Sequence, residues 1–146
     1  MAGNRAQAQD YRLGARDSKG LEMTAQANAD AASALVSSLA SRVQHAVVSP
    51  GSRNTPIVLA LDAHPQIKTH VVLDERVAGF VALGLARATG QPVVLSCTSG
   101  SAGAHYLPAL VEAYEGSTPL IAITADRPPE LHGHAAPQTT HQNDFF

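Results

Sequence analysis

The sequence has no tryptophan and only three tyrosines and three phenylalanines among 146 residues. Large aromatic anchors are scarce, so a core must be filled by Ala, Val and Leu, whose small side chains let helices approach closely. There is one cysteine, Cys97. That excludes an internal disulfide and every multi-cysteine metal site. Cys97 lies in the apolar run from Pro92 to Cys97 and reads as a small buried hydrophobe. Charge is also modest, Lys+Arg 10 against Asp+Glu 12, a formal net charge of -2. No basic surface suited to a nucleic-acid backbone is implied. Seven histidines are scattered without paired ligand spacing, so no metal site is expected. No apolar run approaches the ~20 residues that cross a bilayer, and the N-terminus lacks the hydrophobic stretch of a secretory signal. A cytoplasmic, reducing location is the expectation.

What is present is the pattern of one domain. Residues 1–24 are polar without apolar period and read as a flexible N-terminal arm. From Thr24 to Val43, Ala25, Ala29, Ala32, Leu35, Val36, Leu39 and Val43 recur at helical spacing. His45 to Ser49 reads as a strand stopped by Pro50-Gly51. Thr55 to Ala63 reads as a helix, with Thr55 as N-cap and Pro56 at its first position. Lys68 to Leu73 reads as a second strand. The helix after it spans Glu75 to Thr89, capped by Asp74 and closed by Gly90. Pro92 to Cys97 is a third strand, and its unbroken apolarity suits burial on both faces. The small-residue turn Thr98 to Gly103 leads to a helix ending at Glu115, with Pro108 kinking it or lying in its first turn. Pro119 to Thr124 is a fourth strand. After Leu131 the pattern fails, and Phe145-Phe146 reads as an element cut short: a fragment, or a chain that needs a partner. Strands alternating with helices predict an α/β fold, a parallel sheet flanked by helices, over residues 25–146 and incomplete at the C-terminus.

In such a sheet, functional loops gather at the C-terminal ends of the strands. That rule selects residues 50–54, 74–76, 98–103 and 125–130. Pro50 to Thr55 offers free backbone N–H groups at a helix start, with Arg53 as a bidentate donor. This suits a carboxylate or phosphate, and its spacing also fits an ordinary turn. Glu75 sits where a buried strand is expected to hand over to a buried helix. It is a helix-terminus acid or a working carboxyl, and its own neighbourhood leaves both readings open. Thr98 to Gly103 lets a flat ligand or a second backbone approach. It is neither a Walker A loop nor a nucleophile elbow. Arg127 after the fourth strand suits an anion, oriented by Asp126, or a surface ion pair.

Taken together, Ser49 to Pro56 (SPGSRNTP), Asp74-Glu75-Arg76, Thr98 to Ala102 (TSGSA) and Thr124 to Leu131 (TADRPPEL) resemble one family. It is the thiamine-diphosphate-dependent 2-succinyl-5-enolpyruvyl-6-hydroxy-3-cyclohexene-1-carboxylate synthase of menaquinone biosynthesis, in its N-terminal, pyrimidine-binding domain. The resemblance covers about residues 26–146. It implies a transferase that decarboxylates 2-oxoglutarate and adds the resulting carbanion to isochorismate. It implies that Glu75 holds a proton on the cofactor's aminopyrimidine as the catalytic carboxyl. Thr98, Ser99, Gly100 and Ser101 would lie against that ring. Ser52, Arg53, Arg127 and Gln138 match positions that hold substrate carboxylates. Two positions depart from the family pattern: His105 stands where Asn is frequent, and Pro137 where some members have Asn. The diphosphate and Mg2+ would need a C-terminal domain that these residues do not supply, and the family pattern implies a homodimer or homotetramer. A split 2-oxo-acid decarboxylase subunit and a non-catalytic interaction domain are the competing expectations.

Overall fold

A computed structural model describes the backbone of residues 18–129 and 137–146, and side chains from Thr24 onward. Among the described residues the strands are β1 (His45–Val48), β2 (Lys68–Val71), β3 (Val93–Cys97) and β4 (Leu120–Thr124). They form one sheet in the order β2-β1-β3-β4, and every neighbouring pair is parallel. The helices are α1 (Ser18–Leu39), α2 (Thr55–Ala63), α3 (Glu75–Thr89), α4 (Ser101–Ala104) and α5 (Leu107–Glu115). The α/β class and the parallel sheet expected from the alternation are both found.

Pleating divides the core into two layers. Along β1, Ala46 and Val48 face one way and Val47 the other. On the first face Val36 of α1 and Leu61 of α2 pack with Ala46, Val48 and Val94. On the second, Ala78, Ala82 and Ala86 of α3 pack with Val47, Val93 and Leu95. The scarcity of large side chains has its expected result. A Cβ placed on Gly79 of α3 would stand 2.9 Å from the Cβ of Ala109 on α5, so these helices meet almost backbone to backbone.

Several boundaries differ from the sequence reading. Helix α1 runs from Ser18 to Leu39 rather than from Thr24 to Val43. Its start falls inside the expected arm because Lys19, Leu21, Glu22 and Met23 are good helix formers, whatever their apolar period. Residues 1–17 lie outside the described residues. Val43 is buried, but as the entry to β1, after a turn in which the Arg42 and Val43 N–H groups donate to the Leu39 carbonyl. The N-cap of α2 is Asn54, not Thr55. The Asn54 side chain is occupied inside the turn, and Thr55 Oγ1 bonds back to the Gly51 carbonyl. The single helix expected after the small-residue turn is two, α4 and α5, broken at His105-Tyr106, with Pro108 in the first turn of α5. By contrast α3 has the expected limits. The Asp74 side chain accepts the Arg76 N–H, and Gly90 takes a left-handed φ of 66° while its N–H caps the Ala86 carbonyl.

The largest correction concerns β2. It is an edge strand with no buried position, and α3 is buried on one side only. A buried strand handing over to a buried helix at Glu75 is the sequence expectation; instead Leu73 is 78% exposed, and α3 buries Ala78, Ala82 and Ala86 while leaving Val77 and Phe80 about half exposed.

Candidate functional site

The connection from β1 leads to β2 on one side, and that from β3 leads to β4 on the other. At such a reversal the C-terminal ends of the two central strands diverge and leave a crevice where ligands bind. Here β1 ends in the turn 49–54 and β3 in the turn 98–101. The two turns touch: a Cβ on Gly51 would fall 2.6 Å from the Cβ of Thr98.

The turn after β1 is held from within. Asn54 is buried; its Oδ1 accepts the Gly51 N–H at 2.8 Å and its amide donates to the Ser49 carbonyl at 3.1 Å. Ser49, also buried, donates its hydroxyl to the Val72 carbonyl at 2.7 Å. The end of β1 is thereby tied to the segment that carries Glu75. Ser52 and Arg53 project from the rigid turn and are exposed at the head of α2.

Beyond Val72 the chain enters α3. Asp74 accepts the Arg76 backbone N–H at 2.9 Å and two bonds from its guanidinium, at 3.0 and 2.6 Å. The Arg76 guanidinium holds the Asp74 carboxyl well below the usual carboxylate range. Asp74 and Arg76 therefore satisfy each other, and Glu75 between them accepts no hydrogen bond from a described residue. Its half-buried carboxylate lines an open cleft of about 510 Å3 with Leu73, Asp74, Arg76 and His105. His105, one of the two departures from the family pattern, thus lies beside Glu75. Beneath them sit Cys97 and Tyr106, both fully buried. Burial pushes the Cys97 thiol up to about 11 and raises the Tyr106 phenol further, and the Glu75 charge adds to both shifts. Cys97 is accordingly the inert small hydrophobe expected.

The turn after β3 is organised by a segment from the far end of the chain. Gly100 adopts φ 78° and ψ -138°, and a Cβ there would fall 1.9 Å from the Gln138 carbonyl oxygen. Only glycine fits. The Gly100 N–H donates to Gln142 Oε1 at 2.5 Å, and the Ser101 N–H to the Gln138 carbonyl at 3.0 Å. Gln138 returns its amide to the Ser99 carbonyl at 3.1 Å. Ser99 is buried, and its hydroxyl has no partner among the described residues. Gln142 also donates to the Ala125 carbonyl and to Thr124 Oγ1, bridging the ends of β3 and β4. In the loop after β4, the Arg127 N–H donates to Asp126 Oδ1 at 2.7 Å and its guanidinium to the Pro137 carbonyl at 2.5 Å.

The structure thus joins Thr98, Ser99, Gly100, Ser101, Gln138 and Arg127 through residues 137–142, at the ends of β3 and β4. Glu75 with His105 stands on the β2 side, and Ser52 with Arg53 at the head of α2. Sequence reasoning missed Asn54, Ser49 and Gln142. A lone Gln in a polar tail, or a Ser closing a strand, carries no spacing signal; only the fold reveals what each bridges. Among the described residues no group of three His, Cys, Asp or Glu could hold a metal ion, and no helix is long and apolar enough to cross a membrane.

Residues 29–145 match the family described as thiamine pyrophosphate enzyme, N-terminal TPP binding domain. The chain belongs to this family. Its resemblance to one group of synthases also holds. It is 53% identical over 106 residues to the 2-succinyl-5-enolpyruvyl-6-hydroxy-3-cyclohexene-1-carboxylate synthase of Bacillus velezensis, covering 73% of this chain and 18% of that protein. The synthase of the same name from Chloroflexus aurantiacus is 53% identical over 114 residues, 77% of this chain and 19% of its own length. That of Sorangium cellulosum is 55% identical over 104 residues, 71% and 17% respectively. The chain spans about a fifth of the length of the curated relatives it matches.

Proposed function

We propose that this chain supplies the aminopyrimidine side of the thiamine diphosphate site in a 2-succinyl-5-enolpyruvyl-6-hydroxy-3-cyclohexene-1-carboxylate synthase. The reading rests on one observation: Asp74 takes the helix cap and the Arg76 guanidinium, so the Glu75 carboxyl is left uncommitted at the mouth of the cleft. A flat heteroaromatic ring with a polar edge suits a carboxyl with an apolar residue, Leu73, beside it. The residues fit that end of the cofactor and not its diphosphate. The Gly100 and Ser101 N–H groups are already taken by Gln142 and Gln138. Diphosphate and Mg2+ then fall to a part of the enzyme outside this chain.

When bound, thiamine diphosphate supplies the carbon nucleophile for decarboxylating a 2-oxo acid. Glu75 would hold a proton on the cofactor's aminopyrimidine. Ser99, with its unpartnered buried hydroxyl, and the Thr98–Ser101 turn bound the crevice wall. The substrates are 2-oxoglutarate and isochorismate, whose carboxylates meet Arg53 and Ser52 from the α2 start and Arg127 and Gln138 from the β4 side. The outward face of α3, with Val77 52% and Phe80 50% exposed, is where a second copy docks to give a homodimer or homotetramer. The expected compartment is the cytoplasm.

The test is Glu75→Gln in the full-length synthase. Loss of a positioned proton-holding group should cut turnover by about 10²–10⁴-fold. The same substitution in this chain should lower its thermal stability only slightly, by the ~0.3–1 kcal/mol of a first-turn helix acid, since Glu75 accepts no hydrogen bond from a described residue. Near-normal turnover in the variant would remove Glu75 from the mechanism.

A further inference from the structure

The sequence scatters its histidines, but the fold pairs two of them. His45 opens β1 and His70 lies on β2, 25 positions later. In the parallel register His45 faces Lys68 and Val47 faces His70, so both imidazoles project on the same side of the sheet, two pleats apart. His45 Nδ1 and His70 Nε2 are 3.1 Å apart, with ring centroids separated by 5.3 Å. Both rings are half-buried; His70 lies on the edge strand β2 and His45 at the start of the interior strand β1. His45 also lines a polar groove of about 640 Å3 at the N-terminal edge of the sheet, with Arg42, Gln44, Lys68 and Gln91. That edge is opposite the candidate cofactor site.

We propose that His45 and His70 form a two-imidazole site for a borderline divalent transition cation of the Zn2+, Ni2+ or Cu2+ class. Two nitrogens bound at ~2.1 Å with a tetrahedral angle lie roughly 3.4 Å apart. The observed 3.1 Å needs an opening of only a few tenths of an ångström. In the free chain one ring donates its N–H to the other. On binding, the donor ring moves that proton to its other nitrogen, so two lone pairs face the metal and no net proton is lost. Burial, His45 and Lys68 all push the His70 imidazole below its ordinary range. Lys68 and Arg42 oppose a cation, and this selects against hard ions such as Mg2+, which want carboxylate oxygens. The carbonyl ends of α1, α2 and α3 point to the same edge and offset part of that field. Solvent completes the coordination. A bound ion would staple the open edge strand β2 to β1 and stabilise the folded chain by mass action.

Titration of the full chain with Ni2+, Zn2+ and Mg2+ tests this, read by calorimetry and by the shift in Tm. Ni2+ and Zn2+ should bind one per chain and raise Tm, and Mg2+ should do neither. His45→Gln and His70→Gln should each weaken binding by about tenfold or more, as a chelate reduced to one arm loses its effective concentration. A double His132→Gln, His134→Gln variant controls for the two histidines that stand two apart in the sequence and should bind as the parent does. If that control abolishes binding, or both His45→Gln and His70→Gln retain it, the site is not here. Should either variant fail to fold, NMR of the parent chain decides. Substoichiometric Ni2+ should broaden the His45 and His70 imidazole signals first, and selective broadening of any other histidine overturns the assignment.

Discussion

β2 and β3 flank β1 on either side, pair with it in the same parallel sense, and are followed by helices. Their burial is opposite. Every residue of β3 is buried, whereas no residue of β2 is, with Val71 63% exposed and Leu73, just beyond the strand, 78% exposed. Helix α3 joins them and shares the split: Ala78, Ala82 and Ala86 face the sheet at 0 to 1% exposure, while Val77 and Phe80 face away at about half. One side of the domain is finished and carries the stability. The other is an apolar surface running past Glu75, open in the isolated chain. The contrast separates apolar residues that build the core, at β3, from apolar residues left exposed beside β2 and on α3, with the candidate catalytic carboxyl on the boundary.

The contrast breaks most visibly at Leu95, the fully buried centre of β3. Leu95→Ala should destabilise the chain by about 2–5 kcal/mol, the usual cost of a cavity in a close-packed core. Urea unfolding followed by far-UV circular dichroism measures it. A cost as small as that of an exposed position would mean that β3 is not the load of the fold. Next in size is Gly79→Val. A Cβ at Gly79 would already stand only 2.9 Å from the Ala109 Cβ, closer than van der Waals contact, so the larger side chain should overpack the α3–α5 contact and cost about 1–3 kcal/mol. Adding Ala109→Gly should recover part of that loss, since the two residues share one contact. Strict additivity of the two substitutions would show that the helices relax apart instead.

Much of the fold was legible because the signals were local. Asp74 and Gly90 bound α3 by chemistry that needs no tertiary partner, and Pro50-Gly51 stopped β1. Strand alternation gave the parallel sheet. What stayed hidden is non-local. Strand order decides which apolar strand lies at the edge, and Val71-Val72-Leu73 carries no mark of it. Thr55 has the chemistry of an N-cap, but the buried Asn54 took that position by bonding across the turn to Ser49 and Gly51. Glu75 could be singled out as a strand-helix acid. That its carboxyl is uncommitted follows only from the Asp74–Arg76 geometry. Gln142 and the His45–His70 pair had no signal at all, because each joins segments far apart in sequence.

The Asp74–Arg76 pair gives a smaller, pH-dependent effect on the open side. Arg76 depresses the Asp74 carboxyl, so its contribution is present above the ordinary carboxylate value of about 3.9 and is lost as pH falls through the lower folded value. The Tm difference between the parent chain and Asp74→Ala should therefore be fully present at pH 6 and shrink toward pH 2. The pair is exposed, so salt should reduce its electrostatic part. A difference that grows with acid would place the stabilisation on another group.

The smallest effect on folding is expected on the outer surface itself, and there the two roles separate most clearly. Leu73→Ser and Phe80→Ser remove apolar groups that the isolated chain leaves largely in water. Each should change unfolding free energy by no more than about 0.5 kcal/mol, as exposed substitutions do. If the outward face of α3 is where copies meet, the same pair of changes should weaken self-association, seen as a lower weight-average mass in concentration-dependent sedimentation. Loss of stability without loss of association would put these residues in the core after all. Loss of association without loss of stability would show that the apolar run beside Glu75 is kept apolar for a partner, and that the cleft reaches its working shape only when that partner covers it.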